Sequence, residues 1–282
     1  MDSIISYPDR GPWGDKTYRG NCSGHVIKDL LTHYKPKMFI EVFSGGGTGR
    51  DVAKELGIRS IHLDLNTGFN ALSDEIPQRS DFVFSHPPYW SIIDYNKVRG
   101  DYDPNDMSGN IPYDDFIEKL DVVNQKIYNS LERGGRHAFL MGDIRKNGVY
   151  YSVIKDMAWF GSLESHIIKA QHNCKSYGKS YGGGFIPIVH EHLLVFRKDS
   201  LWAIPVKVTR DIMQDLRIQK RSTWREIIWA FLEYSGESSI GEIEEFAKTL
   251  PRAKENQHIR EKIRQTLNNG GFVKNNDLWQ VA

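Results

Sequence analysis

The residues best suited to chemistry follow an apolar run, Phe82-Val83-Phe84, in the first third of the chain. The six positions concerned are Ser85, His86, Pro87, Pro88, Tyr89 and Trp90. The apolar run predicts the end of a buried strand, and two prolines in a row cannot continue a sheet ladder. The backbone therefore leaves the sheet rigidly, with an imidazole before the bend and two large aromatic side chains after it. Because open α/β sheets bind ligands at the carboxyl ends of their strands, this exit is a candidate site.

This stretch resembles the catalytic tetrapeptide of the DNA amino-methyltransferases, which methylate adenine N6 or cytosine N4. Their pattern is Asp, Asn or Ser, then Pro-Pro and an aromatic residue, and His86 departs from it at the first position. The resemblance implies that His86 and the carbonyl of Pro87 accept hydrogen bonds from the target amine, while Tyr89 stacks on the base. The predicted catalytic residues are thus His86, Pro87, Pro88 and Tyr89, with Ser85 and Trp90 as substrate-binding neighbours.

A glycine-rich loop lies upstream, where an apolar stretch is followed by Ser44-Gly45-Gly46-Gly47-Thr48-Gly49. The order is strand, loop and helix, in which glycines let a ligand approach the backbone and the helix start offers free N–H donors. No Gly-Lys-Ser/Thr follows, so the loop is not a phosphate-binding P-loop. It resembles the S-adenosylmethionine loop of the same enzymes, including the acidic residue and the Phe before the glycines. The cofactor-binding residues implied there are Glu41, Phe43, Ser44, Gly45 and Gly47.

Asp64 stands near the end of the next predicted strand, residues 58–65. An acidic side chain at this point accepts hydrogen bonds from the ribose hydroxyls of a nucleoside, although in isolation it is equally typical of a cap or turn. Asn70 is placed where the resembled family has a polar residue beside the adenine ring. The glycine loop, the acidic strand end and the Pro-Pro exit follow in the family's order over residues 39–90. Together they predict S-adenosylmethionine as the cofactor.

Further candidates follow a predicted strand at residues 137–141. The resemblance implies that Asp143 borders the base pocket and that Arg145 and Lys146 hold phosphates, but the two basic residues also fit a solvated charged turn. A loop at residues 171–184 interleaves basic and aromatic side chains with glycines, which suits phosphate contact and base stacking, here by Tyr181. A plain surface loop is the alternative.

We predict a helix over residues 151–160 and a lid over residues 96–113.

Composition narrows the class of protein. The net charge of +1 over 282 residues gives no global basic signal, so a nucleic-acid surface must be local. Cys22 and Cys174 have no metal-ligand or redox spacing and are expected to be free thiols in a reducing cytoplasm. We find no signal peptide and no membrane-spanning run, and the predicted chemistry needs no metal.

The predicted fold is α/β, a doubly wound and mostly parallel sheet of the class I methyltransferase kind, with a small C-terminal winged-helix-like domain. Its boundaries are residues 1–200 for the methyltransferase domain, 201–221 for a linker and 222–282 for the winged helix. The predicted function is methylation of an exocyclic base amine in DNA, adenine N6 slightly ahead of cytosine N4. The base would be flipped out of the duplex, and a cognate restriction enzyme is a further expected partner.

Three alternatives remain open at this point. An RNA amino-methyltransferase uses the same turn chemistry, although the winged helix favours duplex DNA. A catalytically inactive DNA-binding regulator is kept open by His86 in place of Asp, Asn or Ser. A glycine-loop nucleotide-binding protein unrelated to methylation is the third. Oligomeric state and recognition sequence are not indicated by the sequence.

Overall fold

The computed structural model describes residues 1–172, 186–219 and 221–282. The chain divides into two compact units, Met1–Arg210 and Asp211–Ala282. The boundary between them falls inside residues 201–221, the predicted linker. The functional roles assigned to the two domains stay predictions.

The first unit alternates strands and helices. Its strands are β1 Ile4–Ser6, β2 Phe39–Val42, β3 Ser60–Leu63, β4 Ser80–Ser85, β5 Leu131–Met141, β6 Ile144–Lys146, β7 Val149–Tyr151, β8 Trp159–Phe160, β9 Ser162–Ala170, β10 His190–Arg197 and β11 Val206–Lys207. Its helices are α1 Gly24–Tyr34, α2 Thr48–Glu55, α3 Tyr95–Arg99, α4 Tyr113–Ser130 and α5 Val153–Asp156, with a 3-10 turn at Leu65–Thr67.

Among the described residues, the main sheet has seven strands in the order β1-β9-β10-β5-β4-β2-β3. The pairings β2 with β3, β2 with β4, β4 with β5 and β1 with β9 are parallel. Strand β10 is antiparallel to both of its neighbours. The expected α/β class with a mostly parallel sheet is therefore confirmed. The carboxyl ends of β2, β3, β4 and β5 lie along one edge, which carries the loops predicted to hold the site.

Both faces of the sheet are buried, as expected for strands that read as nearly continuous apolar runs. Neighbouring residues of β2, Phe39 and Ile40, enter different cores because side chains alternate along a strand. The first core contains α1 and α2, whereas the second contains the apolar face of α4. Helices therefore cover the sheet on both faces, which makes it doubly wound.

Two local predictions in this unit are wrong. Residues 151–160 do not form one helix: only Val153–Asp156 is helical, and Trp159–Phe160 is a strand. Tyr151 belongs to β7, because Asn147 and Gly148 adopt φ of 53° and 81° and turn β6 back onto β7. Asn-Gly with positive φ at both positions is the preferred two-residue hairpin turn, so the sequence carried this signal. The sequence also predicts a helix from Asp114 to about Leu131 that is ended by Gly134 and Gly135. Instead, α4 ends at Ser130 and both glycines lie within β5.

The second unit is a small helical domain with its own core. It contains α6 Trp224–Ser235, β12 Ser238–Ser239, α7 Ile240–Lys248, a 3-10 turn at Pro251–Glu255, α8 Ile259–Asn269, β13 Phe272–Asn275 and β14 Leu278–Val281. Thr223 and Ser239 cap α6 and α7 with complete capping boxes, which fix where the two helices begin. The sequence predicts a third helix over residues 252–267 in this unit. Instead, the chain forms the 3-10 turn first, and α8 starts only at Ile259. Within the described ranges, no helix has the length and apolar character needed to cross a membrane.

Candidate active site

A cleft with about 820 Å³ of empty space, part of it open to solvent, lies at the carboxyl edge of the sheet. The cleft brings together residues from all three sequence motifs, which are far apart in the chain. The predicted site residues that line it are Glu41, Phe43, Ser44, Gly45, Asp64, His86 and Pro88.

The glycine loop is held open by its backbone geometry. Phe43 adopts a φ of +66°, a left-handed conformation that costs a non-glycine residue about 1–3 kcal/mol. Gly47 has a φ of +79° and occupies the N-cap position of α2. The hydroxyl of Thr48, the first residue of that helix, lines the cleft and is buried without a hydrogen-bond partner in the described residues. A polar ligand group at this helix start would satisfy it.

Asp64 ties the glycine loop to the end of β3. Its carboxylate accepts hydrogen bonds from the backbone N–H of Gly45 at 2.8 Å and of Asn66 at 2.9 Å. The carboxylate is thus both a cap and part of the cleft wall. Since an ionised carboxylate offers about four acceptor positions, two of them still remain for ligand hydroxyls.

Glu41 forms the buried floor of the cleft on β2. Burial raises its pKa, although a hydrogen bond with Nδ1 of His62 at 2.8 Å counteracts the shift. A Cβ on Gly49 would lie 2.4 Å from a carboxylate oxygen of Glu41, so only glycine allows the helix start to approach this closely. Glu41 therefore positions the loop as well as lining the cleft.

The segment before α1 lies directly over the glycine loop. Asp15 donates its backbone N–H to the carbonyl of Gly46 at 2.8 Å, and Asn21 accepts from the N–H of Gly46 at 3.1 Å. Tyr18 and Asn21 line the cleft. The Gly- and Pro-rich sequence of residues 7–24 predicts either an arm packed on the core or an arm over a ligand site, and these contacts favour the second.

The loop after the Pro-Pro turn covers the cleft from the other side. Tyr95 donates its hydroxyl to the carbonyl of Arg19 at 3.1 Å and stacks on Tyr18, with ring centroids 5.9 Å apart. Residues 105–107 line the cleft, and Asp106 is held by Arg99 at 2.7 Å. Part of the predicted lid is the helix α3. The arm and this loop meet above the cleft.

The Pro-Pro turn carries a hydrogen-bonded chain of polar side chains. The hydroxyl of Tyr89 donates to Oε1 of Glu191 at 2.5 Å, and Nζ of Lys169 donates to Oε2 at 2.5 Å. Burial alone would raise the pKa of Glu191, but the charge of Lys169 and the hydrogen bonds from Lys169 and Tyr89 together hold the pKa below its usual value. Glu191 is therefore an ionised carboxylate that can only accept hydrogen bonds.

This chain fixes the tautomer of His86. Its Nε2 lies 3.1 Å from the Tyr89 hydroxyl oxygen. Since the single proton of that hydroxyl is given to Glu191, Nε2 must carry a proton and donate it to Tyr89. Nδ1 of the neutral ring then keeps its lone pair, and no hydrogen bond occupies it within the described residues. Burial lowers the pKa of His86 to about 4, so the ring is neutral near pH 7.

His86 stands between two clefts. It lines the first one, and it also lines a second cleft with Pro87, Tyr89 and Glu191. The second cleft has about 1,370 Å³ of empty space, part of it open to solvent, and is lined by both Asp9 and Arg10. A ligand in one cleft can therefore meet a ligand in the other at His86.

Two neighbours of the motif do not face these clefts, contrary to prediction. Trp90 is only 5% exposed, packs in the α4 core and donates its indole N–H to the carbonyl of Ile111 at 2.7 Å. Its φ of +41° turns it away from the direction of Tyr89. Ser85 is 1% exposed, and its hydroxyl lies 2.7 Å from Nε2 of His137. Both residues support the turn from beneath.

The remaining predicted site residues in the described part of the chain lie outside the two clefts. Asn70 caps a turn through the N–H of Leu72 and does not line the first cleft. Asp143 faces Tyr150, Ser152 and His192 instead of either cleft. Arg145 lies over the ring of Tyr150 at 5.3 Å, and Lys146 over that of Trp90 at 4.1 Å. Tyr181 lies outside the described residues.

Sequence reasoning missed Glu191, Lys169, Asn21 and Tyr95 as site residues, and it named Tyr18 only as a docking residue of the arm. Glu191 had a signal, because it is an acidic side chain at an inward position of a strand that continues as Leu193-Leu194-Val195. A buried charge of this kind needs a partner. The others lie on loops or edge positions where their types are ordinary, so no pattern in the sequence distinguishes them.

Comparisons with known proteins add little to this geometry. No protein-family model matches the chain, and no curated protein matches its sequence. Among solved structures, TehB from Haemophilus influenzae is 11% identical with a TM-score of 0.36, covering 62% of each chain. TrmN from Thermus thermophilus is 15% identical with a TM-score of 0.31, covering 64% of this chain and 50% of its own.

A third structure is TTHA0409 from Thermus thermophilus complexed with S-adenosyl-L-methionine, which carries the provisional description DNA modification methylase. It is 18% identical with a TM-score of 0.31, covering 64% of this chain and 60% of its own. The chain thus spans between half and about three fifths of the length of these three proteins. Because all three TM-scores lie below 0.5, none of these likenesses bears on the activity of this chain.

Proposed function

We propose that this chain is an S-adenosylmethionine-dependent methyltransferase that methylates an exocyclic base amine in DNA. The observation that carries the proposal is the position of His86, a neutral imidazole with one unoccupied lone pair between two clefts. The resemblance of the motifs over residues 39–90 supports the same reaction. Adenine N6 is slightly favoured over cytosine N4.

The first cleft fits the cofactor. Phe43, Phe69 and Met107 give it apolar walls for an aromatic ring, while Asp64 retains acceptor positions for ribose hydroxyls. The buried hydroxyl of Thr48, at the start of α2, has no hydrogen-bond partner in the described part of the chain. A polar group of the ligand would supply one. When bound, the cofactor's sulfonium supplies an electrophilic methyl group, so the protein contributes position and electrostatics.

The second cleft fits a flipped base. Tyr89 lines it and could stack on the base. Arg10, which also lines it, could bind a phosphate of the DNA backbone. Nδ1 of His86 accepts a hydrogen bond from the base amine, which directs the nitrogen lone pair toward the first cleft. Nδ1 would also accept the proton that the amine loses as its bond to the methyl carbon forms and the bond from that carbon to the cofactor's sulfur breaks, leaving a neutral thioether. A protonated ring could do neither.

His86 replaces the Asp, Asn or Ser of the resembled motif with another acceptor. The hydrogen-bonded chain through Tyr89 and Glu191 makes it an acceptor of fixed direction. This favours an active enzyme over an inactive DNA-binding regulator.

The test is transfer of tritiated methyl to duplex DNA, with the modified nucleoside identified by mass after digestion. We expect methylated adenine or cytosine with the wild type, and loss of most activity with normal cofactor affinity in His86→Ala. His86→Asn should retain some activity, because its carboxamide oxygen accepts the same bond. Methylation of transfer RNA but not DNA would shift the substrate to RNA, and no transfer to either would refute the proposal.

A further inference from the structure

A second group of chemistry-bearing side chains lies at the junction of β5 and β10. Asp143, His190 and His192 each offer one ligand atom, and these atoms all lie within 4.8 Å of one another. Strand pairing brings them together, since His192 lies opposite Met141 in antiparallel register. The loop that follows the end of β5 therefore comes beside the first residues of β10. His190 and His192 share one face of the strand, whereas Glu191 between them faces Tyr89.

The ligand types suit a divalent transition metal. Imidazole nitrogens and a carboxylate oxygen are common ligands of zinc, at about 2.0–2.1 Å and about 2.0–2.2 Å. Two such ligands in a tetrahedral site are about 3.3–3.5 Å apart. Nε2 of His192 and Oδ2 of Asp143 are 3.3 Å apart. This pair already has the separation that a shared ion requires, so only His190 needs to move closer.

Outer contacts that orient metal ligands are also present. Tyr150 donates its hydroxyl to Oδ2 of Asp143 at 2.6 Å, and Ser152 donates to Oδ1 at 3.1 Å. Nδ1 of His192 lies 3.0 Å from Nε2 of His166 and can donate a hydrogen bond to it. In that tautomer the other ring nitrogen of His192, Nε2, keeps its lone pair for an ion. Metal-binding histidines and carboxylates in proteins are held by partners of this kind.

The burial of Asp143 and His192 also favours a bound metal ion. The side chains of Asp143 and His192 are only 5% and 10% exposed. A carboxylate so far removed from water is stabilised by a cation or a coordinated metal.

We propose that Asp143, His190 and His192 bind one divalent transition metal ion, with zinc as the expected ion and water as the fourth ligand. Three protein ligands and one open position are a common zinc arrangement. The ion would join the start of β10 to the loop after β5. It would thereby hold Glu191 in place from the opposite face of the strand. Metal binding by these residues does not depend on the proposed methyl transfer.

The test uses the full-length chain without an affinity tag, stripped with a chelator and titrated with Co²⁺ as a visible probe. Zinc affinity then follows from competition with a chromophoric chelator. We expect one ion per chain and a tetrahedral cobalt spectrum. His190→Ala and Asp143→Asn should each weaken binding by more than about 100-fold, beyond the 10- to 100-fold effect of changing an outer contact. Ser152→Ala should weaken it by about 10-fold.

His33→Ala is the matched control, because His33 is an exposed histidine on α1, away from this cluster. It should bind metal as the wild type does. Circular dichroism of the metal-free proteins checks that each variant is folded, and His190→Ala, at a partly buried position, should match the wild type. An absence of saturable cobalt binding by the wild type, or an unchanged affinity in His190→Ala, would overturn the proposal.

Discussion

The orientation of His86 depends on the charge of a residue two side chains away. In Glu191→Gln the side-chain amide can donate to the Tyr89 oxygen, which frees the Tyr89 proton to point at Nε2 of His86. The ring then favours the tautomer with a proton on Nδ1, and Nδ1 opposes the base amine as a donor. We therefore predict a slower methyl-transfer step with unchanged cofactor affinity.

The size of the effect follows from the lost hydrogen bond. A buried polar group left without its partner costs about 1–3 kcal/mol, which corresponds to a rate loss of about 5- to 150-fold. Single-turnover transfer to bound DNA measures this step directly. Nitrogen-15 NMR of the histidine ring distinguishes the two tautomers and gives a second readout, independent of the rate.

Lys169→Met is the matched control for this experiment. It breaks the same 2.5 Å ion pair but keeps the carboxyl group of Glu191. Because burial then raises the pKa of Glu191, the comparison is made at a pH that favours the carboxylate, which accepts from Tyr89. At pH 8 we expect it to be considerably faster than Glu191→Gln. Equal losses in both variants would assign the effect to the ion pair. An Nδ1–H tautomer of His86 in the wild type would refute the reasoning altogether.

Three further predictions follow from the site and the division of the chain. Asp64→Ala should weaken S-adenosylmethionine binding by about 1.5–3 kcal/mol, or roughly 10- to 100-fold by titration. Asp81→Ala removes a carboxylate that also accepts two backbone N–H groups but does not line the first cleft, so it should leave that affinity unchanged. Equal losses in the two variants would contradict the assignment. Because burial lowers the pKa of His86 to about 4, the transfer rate should hold as the pH falls toward about 5 and drop through about pH 4, where protonation removes the acceptor. A limb near the unshifted value of about 6.5, measured while circular dichroism shows a folded protein, would contradict this. Deleting residues 211–282 should preserve cofactor binding by calorimetry and impair DNA methylation, whereas full activity at moderate salt would show that the second unit does not contribute to DNA binding.

The order of motifs along the chain was enough to predict the main sheet and the first cleft. Apolar runs before the glycine loop and before the Pro-Pro turn mark buried parallel strands, which are covered on both faces and so lack polar alternation. Parallel strands place their carboxyl ends at one edge. Phe43, Asp64 and His86 had to meet there once the strands paired.

The sequence also specified the tight turn between β6 and β7, although the predicted helix over residues 151–160 did not take it into account. Asn147-Gly148 specifies a tight hairpin regardless of tertiary context, because both residues tolerate positive φ. That hairpin replaces the start of the helix predicted over residues 151–160.

Only the tertiary structure decided which side chains complete the site. Glu191 and Lys169 reach Tyr89 through the pairing of β9 with β10, a contact between segments about a hundred residues from the turn. The direction of Trp90 was set by one backbone angle, which places it in the α4 core. Sequence patterns report which face of an element is apolar, whereas the partner of a buried polar group depends on strand register and loop path. For that reason the position of His86 at the cleft was predictable, and its hydrogen-bonded connection to Glu191 was not.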